Sequence, residues 1–200
     1  MSRLTAAIAA LFILNGCMKM NTKDFAENGP CLQIEDYFQG KTRAWGLFED
    51  RFGVVRRQFT VDIDGTWDGT ELVLDERFVY DDGEHDRRVW TIRKTGEQTY
   101  EGRADDIIGV ATGEASGNAL NWRYDMDLAI GGGSWRVTFN DWMFLQPDGV
   151  MLNRARVTKF GFEIGTVTLA FRKEDASTGT AVTGFIQPPS DFELAAAASQ

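Results

Sequence analysis

The chain has 200 residues, with 21 Lys and Arg against 30 Asp and Glu and a formal net charge of −9. That length holds one ordinary domain whose core needs no disulfide staples, and the acidic balance argues against a surface for nucleic-acid phosphates. One His and two Cys remove most metal-site and His-based catalytic chemistry, while 14 Phe, 6 Trp, 21 Gly and 4 Pro place the chain among strand-rich globular proteins.

The first predicted element is an export signal. Arg3 supplies its positive start, and residues 4–14 form an apolar run too short to span a bilayer and stop there. The run ends in Leu14-Asn15-Gly16-Cys17, which resembles the lipobox of bacterial lipoproteins, with Asn15 standing where Ala or Ser is usual. That resemblance implies a signal peptide over residues 1–16 and lipidation of Cys17. Met18 rather than Asp after the Cys implies a lipid-anchored place in the cell envelope, on the periplasmic face of the outer membrane. The plainer alternative is an ordinary secretory signal cut elsewhere. A Cys17–Cys31 disulfide competes with the lipidated form and is excluded by it. With Cys17 lipidated, Cys31 is expected to be shielded and inert. Residues 17–30 read as a polar tether leading into the domain, with room for a helix only from about residues 21–24 onward or at the very end of the chain.

From Lys41 to Lys173 the chain repeats one device, apolar alternation punctuated by Gly, Asp or Asn, which is the mark of an antiparallel meander. The alternation predicts strands over residues 42–50, 53–63, 71–80, 87–94, 99–103, 107–114, 118–130, 134–145, 150–159 and 163–172. Hairpin chemistry lies between them at Asp64-Gly65 with Asp68-Gly69, Asp82-Gly83, Thr95-Gly96, Ser116-Gly117-Asn118, Gly131-Gly132-Gly133 and Asp148-Gly149. The clearest case sets Leu120, Trp122, Tyr124, Met126, Leu128 and Ile130 against Asn121, Arg123, Asp125 and Asp127. Sheets with one dry and one wet face must pack on a partner or close on themselves. About eight to ten sequential strands favour closure of an all-β, up-and-down barrel over residues 31–173, a size that can hold one small ligand. Residues 174–200, rich in Ala, Ser, Thr and Gly, read as a flexible C-terminal tail.

Standard catalytic motifs are absent. His85 sits in an acidic, turn-like run and reads as a solvated loop residue. The Asp62-x-Asp64-Gly65-x-x-Asp68-Gly69 stretch lacks the spacing and closing Glu of a calcium loop, and the Gly131–133 run lacks the Lys of a phosphate loop. No metal and no cofactor is implied.

The informative feature is charge on faces that should be apolar. The alternation places Arg57, Glu76, Arg88 and Asp141 inside the barrel, where charges are costly unless paired or solvated. In the bland reading they are internal pairs, Arg88 with Glu76 or Arg57 with Asp141. In the sharper one an Arg with spare donors holds a ligand carboxylate or phosphate, Trp90, Trp122, Tyr124 and Trp135 line the acyl or ring portion, and Glu76, Tyr80 and Asp141 complete the candidate ligand-binding set; in an enzyme, Glu76 or Asp141 would be acid or base and Tyr80 or Tyr124 the donor.

Several spaced motifs carry a family resemblance. They are Ala44-Trp45-Gly46-x-Phe48-x-Asp50-Arg51-x-Gly53, Phe78-x-Tyr80-Asp81-Asp82-Gly83-Glu84 with Arg88-x-Trp90, and Gly117-Asn118-Ala119-Leu120-Asn121-Trp122-x-Tyr124. Asp141-Trp142-Met143-x-Leu145 and Asn153-Arg154-Ala155 with Lys159-Phe160-Gly161 follow. Over residues 31–173 the chain resembles a bacterial lipocalin-like lipoprotein family of unknown function, uncharacterised-domain family three-eight-three-three. Asn140 departs from the Asp that relatives tend to carry. The resemblance implies a lipocalin-like barrel exported to the envelope. A tie to membrane-lipid modification or stress is also implied, because members are similar to proteins encoded beside enzymes of the cyclopropane synthase type. It assigns no catalytic residues.

Three functions follow as expectations: an envelope barrel, anchored in the membrane through Cys17, that binds a fatty acid or other small amphiphile; a lipid-acting enzyme using Glu76 or Asp141; and a ligand-free envelope protein with a filled barrel and an unnamed protein partner.

Overall fold

The computed structural model describes residues 19–130 and 133–174. Residues 1–18, with Cys17, the tail beyond Glu174, and Gly131-Gly132 of the expected glycine turn lie outside that range. All ten predicted strands are present: β1 (Gly40–Asp50), β2 (Val55–Trp67), β3 (Glu71–Tyr80), β4 (His85–Lys94), β5 (Thr99–Arg103), β6 (Ile107–Ser116), β7 (Ala119–Ile130), β8 (Gly133–Leu145), β9 (Met151–Lys159) and β10 (Phe162–Lys173). Each pairs antiparallel with the next, and β10 returns to β1, so the meander closes into a lipocalin-like barrel with no free edge.

Alternation places the core inside. Ala44, Val61, Leu72, Leu74, Trp90, Ile92, Trp122, Val137, Val157 and Phe171 are buried. Outside, cross-strand pairs such as Arg43–Asp62, Arg77–Asp64 and Arg87–Asp75 cover the wall. Exposed pairs of this kind contribute little stability.

The two ends of the barrel differ. One end, here the base, is plugged by a short helix, α1 (Ile34–Phe38), which the sequence reading missed because five residues are too few to show a helical period. Leu32, Ile34, Tyr37 and Phe38 are buried against the core, and the Tyr37 hydroxyl donates to the carbonyls of Gly149 and Phe171, both at 3.2 Å. Glu35, also in α1 and 5% exposed, accepts hydrogen bonds from Lys94 Nζ and from the Tyr100 hydroxyl at 2.9 Å. These bonds satisfy a carboxylate that would otherwise be costly to bury.

One predicted turn is corrected. Asp64-Gly65 lies within β2, paired with Leu74 and Asp75 of β3, and the reversal falls at Asp68-Gly69, where Asp68 N bonds to the Glu71 carbonyl; the glycine at 65 instead makes room for the end of α1. A Cβ on Gly65 would come 1.8 Å from the Phe38 carbonyl oxygen.

Residues expected to be tether are partly built into this base. A 3₁₀ turn over Thr22–Phe25, capped by Asn21, brings the Phe25 ring to 6.0 Å from Trp142 and 5.2 Å from Phe144. Cys31 is exposed rather than shielded, since the chain first enters the plug at Leu32.

The opposite end, the mouth, is formed by the hairpins after β1, β3, β5 and β9 and by the ends of β7 and β8. Phe52, Phe160 and Phe162 are exposed on two of them.

Candidate functional site

A cavity of about 420 Å³ runs through the barrel from the plug residues Ile34 and Phe38 to Arg57, Tyr80 and Asp86 at the mouth. The walls are asymmetric. Four inward positions of β5 and β6 are small, Gly102, Ala111, Gly113 and Ala115, beside the larger Tyr100 and Ile107, whereas neighbouring strands bring Trp90 and Trp122. The two indoles meet edge to face at 5.7 Å, and Tyr124 stacks on Phe139 at 4.9 Å. Small residues opposite large ones are how a narrow barrel accommodates rings without filling completely.

Of the nine predicted binding residues, the structure gathers eight around this cavity: Arg57, Glu76, Tyr80, Arg88, Trp90, Trp122, Tyr124 and Asp141. Trp135 is the exception. It keeps the inward register of β8 but lies beyond the cavity at the rim, 41% exposed, with Lys159 Nζ 3.3 Å from its ring centroid. Alternation predicts which way a side chain turns and is silent on where the opposing wall ends.

The expected internal ion pairs do not form. Arg57 binds Asp82 and Glu84 of the next hairpin, with its guanidinium 3.5 Å over the Tyr80 ring, and its buried Nε has no hydrogen-bond partner. Arg88 turns to Asp106, a turn residue that the sequence reading did not single out. β5 stops at Arg103, opposite Thr91, so the wall beside Arg88 is completed by the 104–106 turn instead of a strand. Arg88 Nε and Nη2 donate to Asp106 Oδ2 at 2.9 and 2.7 Å, and among the described residues Nη1 has no protein partner. Burial works against the guanidinium charge, but the Asp106 carboxylate holds it protonated.

Glu76 is the direct cross-strand neighbour of Arg88, without an ion pair to it. Burial pushes the Glu76 carboxyl up to about 7, against the opposing field of Arg88. Asp141 is 5% exposed, and burial pushes it to about 7 as well, opposed by the Asn153 amide that donates to it. Desolvation also holds the Tyr124 phenol neutral. The cavity therefore holds two firmly charged cations, Arg57 at the mouth, taken up by Asp82 and Glu84, and Arg88 deeper in, with two carboxyls, Glu76 and Asp141, that titrate near neutrality.

Asn153 was missed, although the run Met151, Asn153, Ala155, Val157 puts it on the inward face by the same alternation. The cluster of buried Glu35 and Tyr100 with half-buried Lys94 was missed with α1. Among the described residues, no group of three or more His, Cys, Asp or Glu is placed to hold a metal ion, and no helix is long and apolar enough to cross a membrane.

A family model described as a protein of unknown function, DUF3833, matches residues 11–173. Among solved structures the chain is similar to the S-type phycobiliprotein lyase CPES from Guillardia theta. The TM-score is 0.55 at 12% identity, covering 80% of this chain and 99% of that one. A likeness at that identity is one of fold. No curated protein matches.

Proposed function

The chain belongs to the DUF3833 family of proteins of unknown function, and we propose that its barrel binds a fatty acid or other small amphiphile. The observation that carries this reading is the hollow interior, about 420 Å³ and lined by Trp90, Trp122, Phe139 and Phe171 around a few polar groups. Apolar clefts with a small number of placed polar side chains are the usual form of small-molecule sites. The apolar part of the ligand packs on the two indoles. An anionic head takes the Arg88 Nη1 that Asp106 leaves over, with Tyr124, and Glu76 in its protonated form, as further donors. A filled barrel, which the ligand-free reading requires, is at odds with this interior.

Anchoring belongs to the same proposal. It rests on the sequence Leu14-Asn15-Gly16-Cys17 and holds the protein in the envelope through lipidated Cys17, on the periplasmic face of the outer membrane, with a role in membrane-lipid modification or stress.

The test is organic extraction of purified protein followed by mass spectrometry, with titration of the extracted protein by a fatty acid under tryptophan fluorescence. A co-purifying amphiphile and saturable quenching are expected. An empty extract together with flat titrations would sink the reading.

A second reading, a lipid-acting enzyme, is favoured by the two cavity carboxyls held near pH 7, a usual property of general acids and bases. It predicts turnover of an envelope lipid that disappears in Glu76→Gln or Asp141→Asn while the fold stays intact.

A further inference from the structure

We propose that the base-side half of the cavity holds a second polar subsite, built by Asp141 and Asn153, which takes a hydroxyl or other hydrogen-bond donor on the ligand. The barrel then selects molecules polar at both ends over plain acyl chains. The proposal rests on the amphiphile reading of the same cavity and specifies which amphiphiles it takes.

The two residues come from neighbouring strands, Asp141 on β8 and Asn153 on β9, diagonal to each other across the Asp141–Ala155 and Met143–Asn153 pairs. Both line the cavity, yet they are 5% and 4% exposed. Asn153 Nδ2 donates to Asp141 Oδ2 at 3.4 Å, a long bond, and this is the contact between them. Asp141 Oδ1 and Asn153 Oδ1 are each buried without any hydrogen-bond partner. An unsatisfied buried oxygen is costly, and native proteins keep few of them. Here two lie on adjacent strands of one cavity wall.

Register places this subsite on the base side of the head group's, while the fields of Arg88 and Glu76 still reach Asp141. Asp141 pairs with Trp122, four positions before β8 ends at Leu145 at the base, whereas Arg88 lies beside the 104–106 turn at the mouth. A ligand with its charged head at Arg88 lays its far end toward Trp122, next to the two oxygens. A methyl-terminated chain there would seal them from water and leave them unpaired. A hydroxyl can donate to one of them, and the Asp141 carboxyl, which burial favours in its neutral form, can donate back to the hydroxyl.

The experiment compares matched probes, saturated fatty acids of about eight to fourteen carbons and the same acids with a terminal hydroxyl, titrated into ligand-stripped protein under tryptophan fluorescence and calorimetry. At one chain length the hydroxylated acid is expected to bind about tenfold more tightly. The double variant Asp141→Leu/Asn153→Leu, or Asn153→Leu alone where the double does not fold by circular dichroism, is expected to lose or invert that preference while still binding the plain acid. Equal affinities at every length would overturn the subsite and leave the amphiphile reading standing, as would a crystal structure with plain acid bound and an ordered water bridging the two oxygens. Absence of binding by either series would overturn the amphiphile reading itself.

Discussion

Trp122 covers the bare backbone of its cross-strand neighbour Gly113. A Cβ on Gly113 would come 2.4 Å from the indole Cε3, and one on Gly102 would come 2.6 Å from Cζ2. The two glycines therefore give the indole its place against the wall, and the indole's position decides how much of the interior stays open. A ring over a strand glycine also restores the packing that a glycine lacks.

Gly113→Ala is therefore expected to push the indole into the cavity. Overpacking of this kind costs roughly 1–3 kcal/mol, and amphiphile affinity should fall with the lost volume. Thermal unfolding and fluorescence titration read both effects. In a Trp122→Ala background the same substitution should cost little, because its clash is gone.

Stability should depend on pH in a defined window. Burial raises Glu76 from 4.5 and Asp141 from 3.8, each to about 7, so the fold favours their neutral forms. Their contribution is complete below the unfolded values and is lost as pH rises toward 7, with a slope of up to about 1.4 kcal/mol per pH unit for each proton. Glu35, Asp68, Asp75 and Asp82 are lowered instead and act at more acidic pH, with the opposite sign. Denaturant midpoints measured between about pH 5 and 7 should fall, and the Glu76→Gln/Asp141→Asn double variant should flatten the curve.

The plug can be loosened without touching the cavity's polar groups. Gly65→Ala forces a methyl group against the Phe38 carbonyl of α1, and neither main chain can yield cheaply. A loss of roughly 2 kcal/mol or more is expected in chemical denaturation, with faster hydrogen exchange over residues 34–38 than in the strands.

Arg88→Met separates the two jobs assigned to that side chain. It leaves the half-buried Asp106 carboxylate without its cation, which costs stability, and it removes the head-group donor. Adding Asp106→Asn should restore much of the stability and none of the affinity for an anionic amphiphile. A neutral alcohol of the same chain length should bind both proteins alike.

The barrel was legible because its signal is local. Alternation in Leu120–Leu128 or Val137–Phe139 fixes which face of the sheet is wet, and Asp-Gly pairs mark three of the reversals, at Asp68-Gly69, Asp82-Gly83 and Asp148-Gly149. The same rule found Glu76, Arg88 and Asp141 and would have found Asn153 had a neutral amide been weighed as a site residue. What alternation does not carry is distance between elements remote in the chain. The Arg88–Asp106 pair depends on where β5 stops, the exposure of Trp135 on where the wall ends, and the need for glycine at 65 on the path of α1 above it.

The chain also enters and leaves the barrel on one side. The Thr22–Phe25 turn packs against Trp142 and Phe144 near the plug, and β10 finishes there, with Lys173 Nζ bonded to the Asp36 carbonyl. Thr22 and Glu174, close to where the described chain begins and ends, thus both sit at the floor, like the stem of a cup, with Phe52, Phe160 and Phe162 on the brim at the far side.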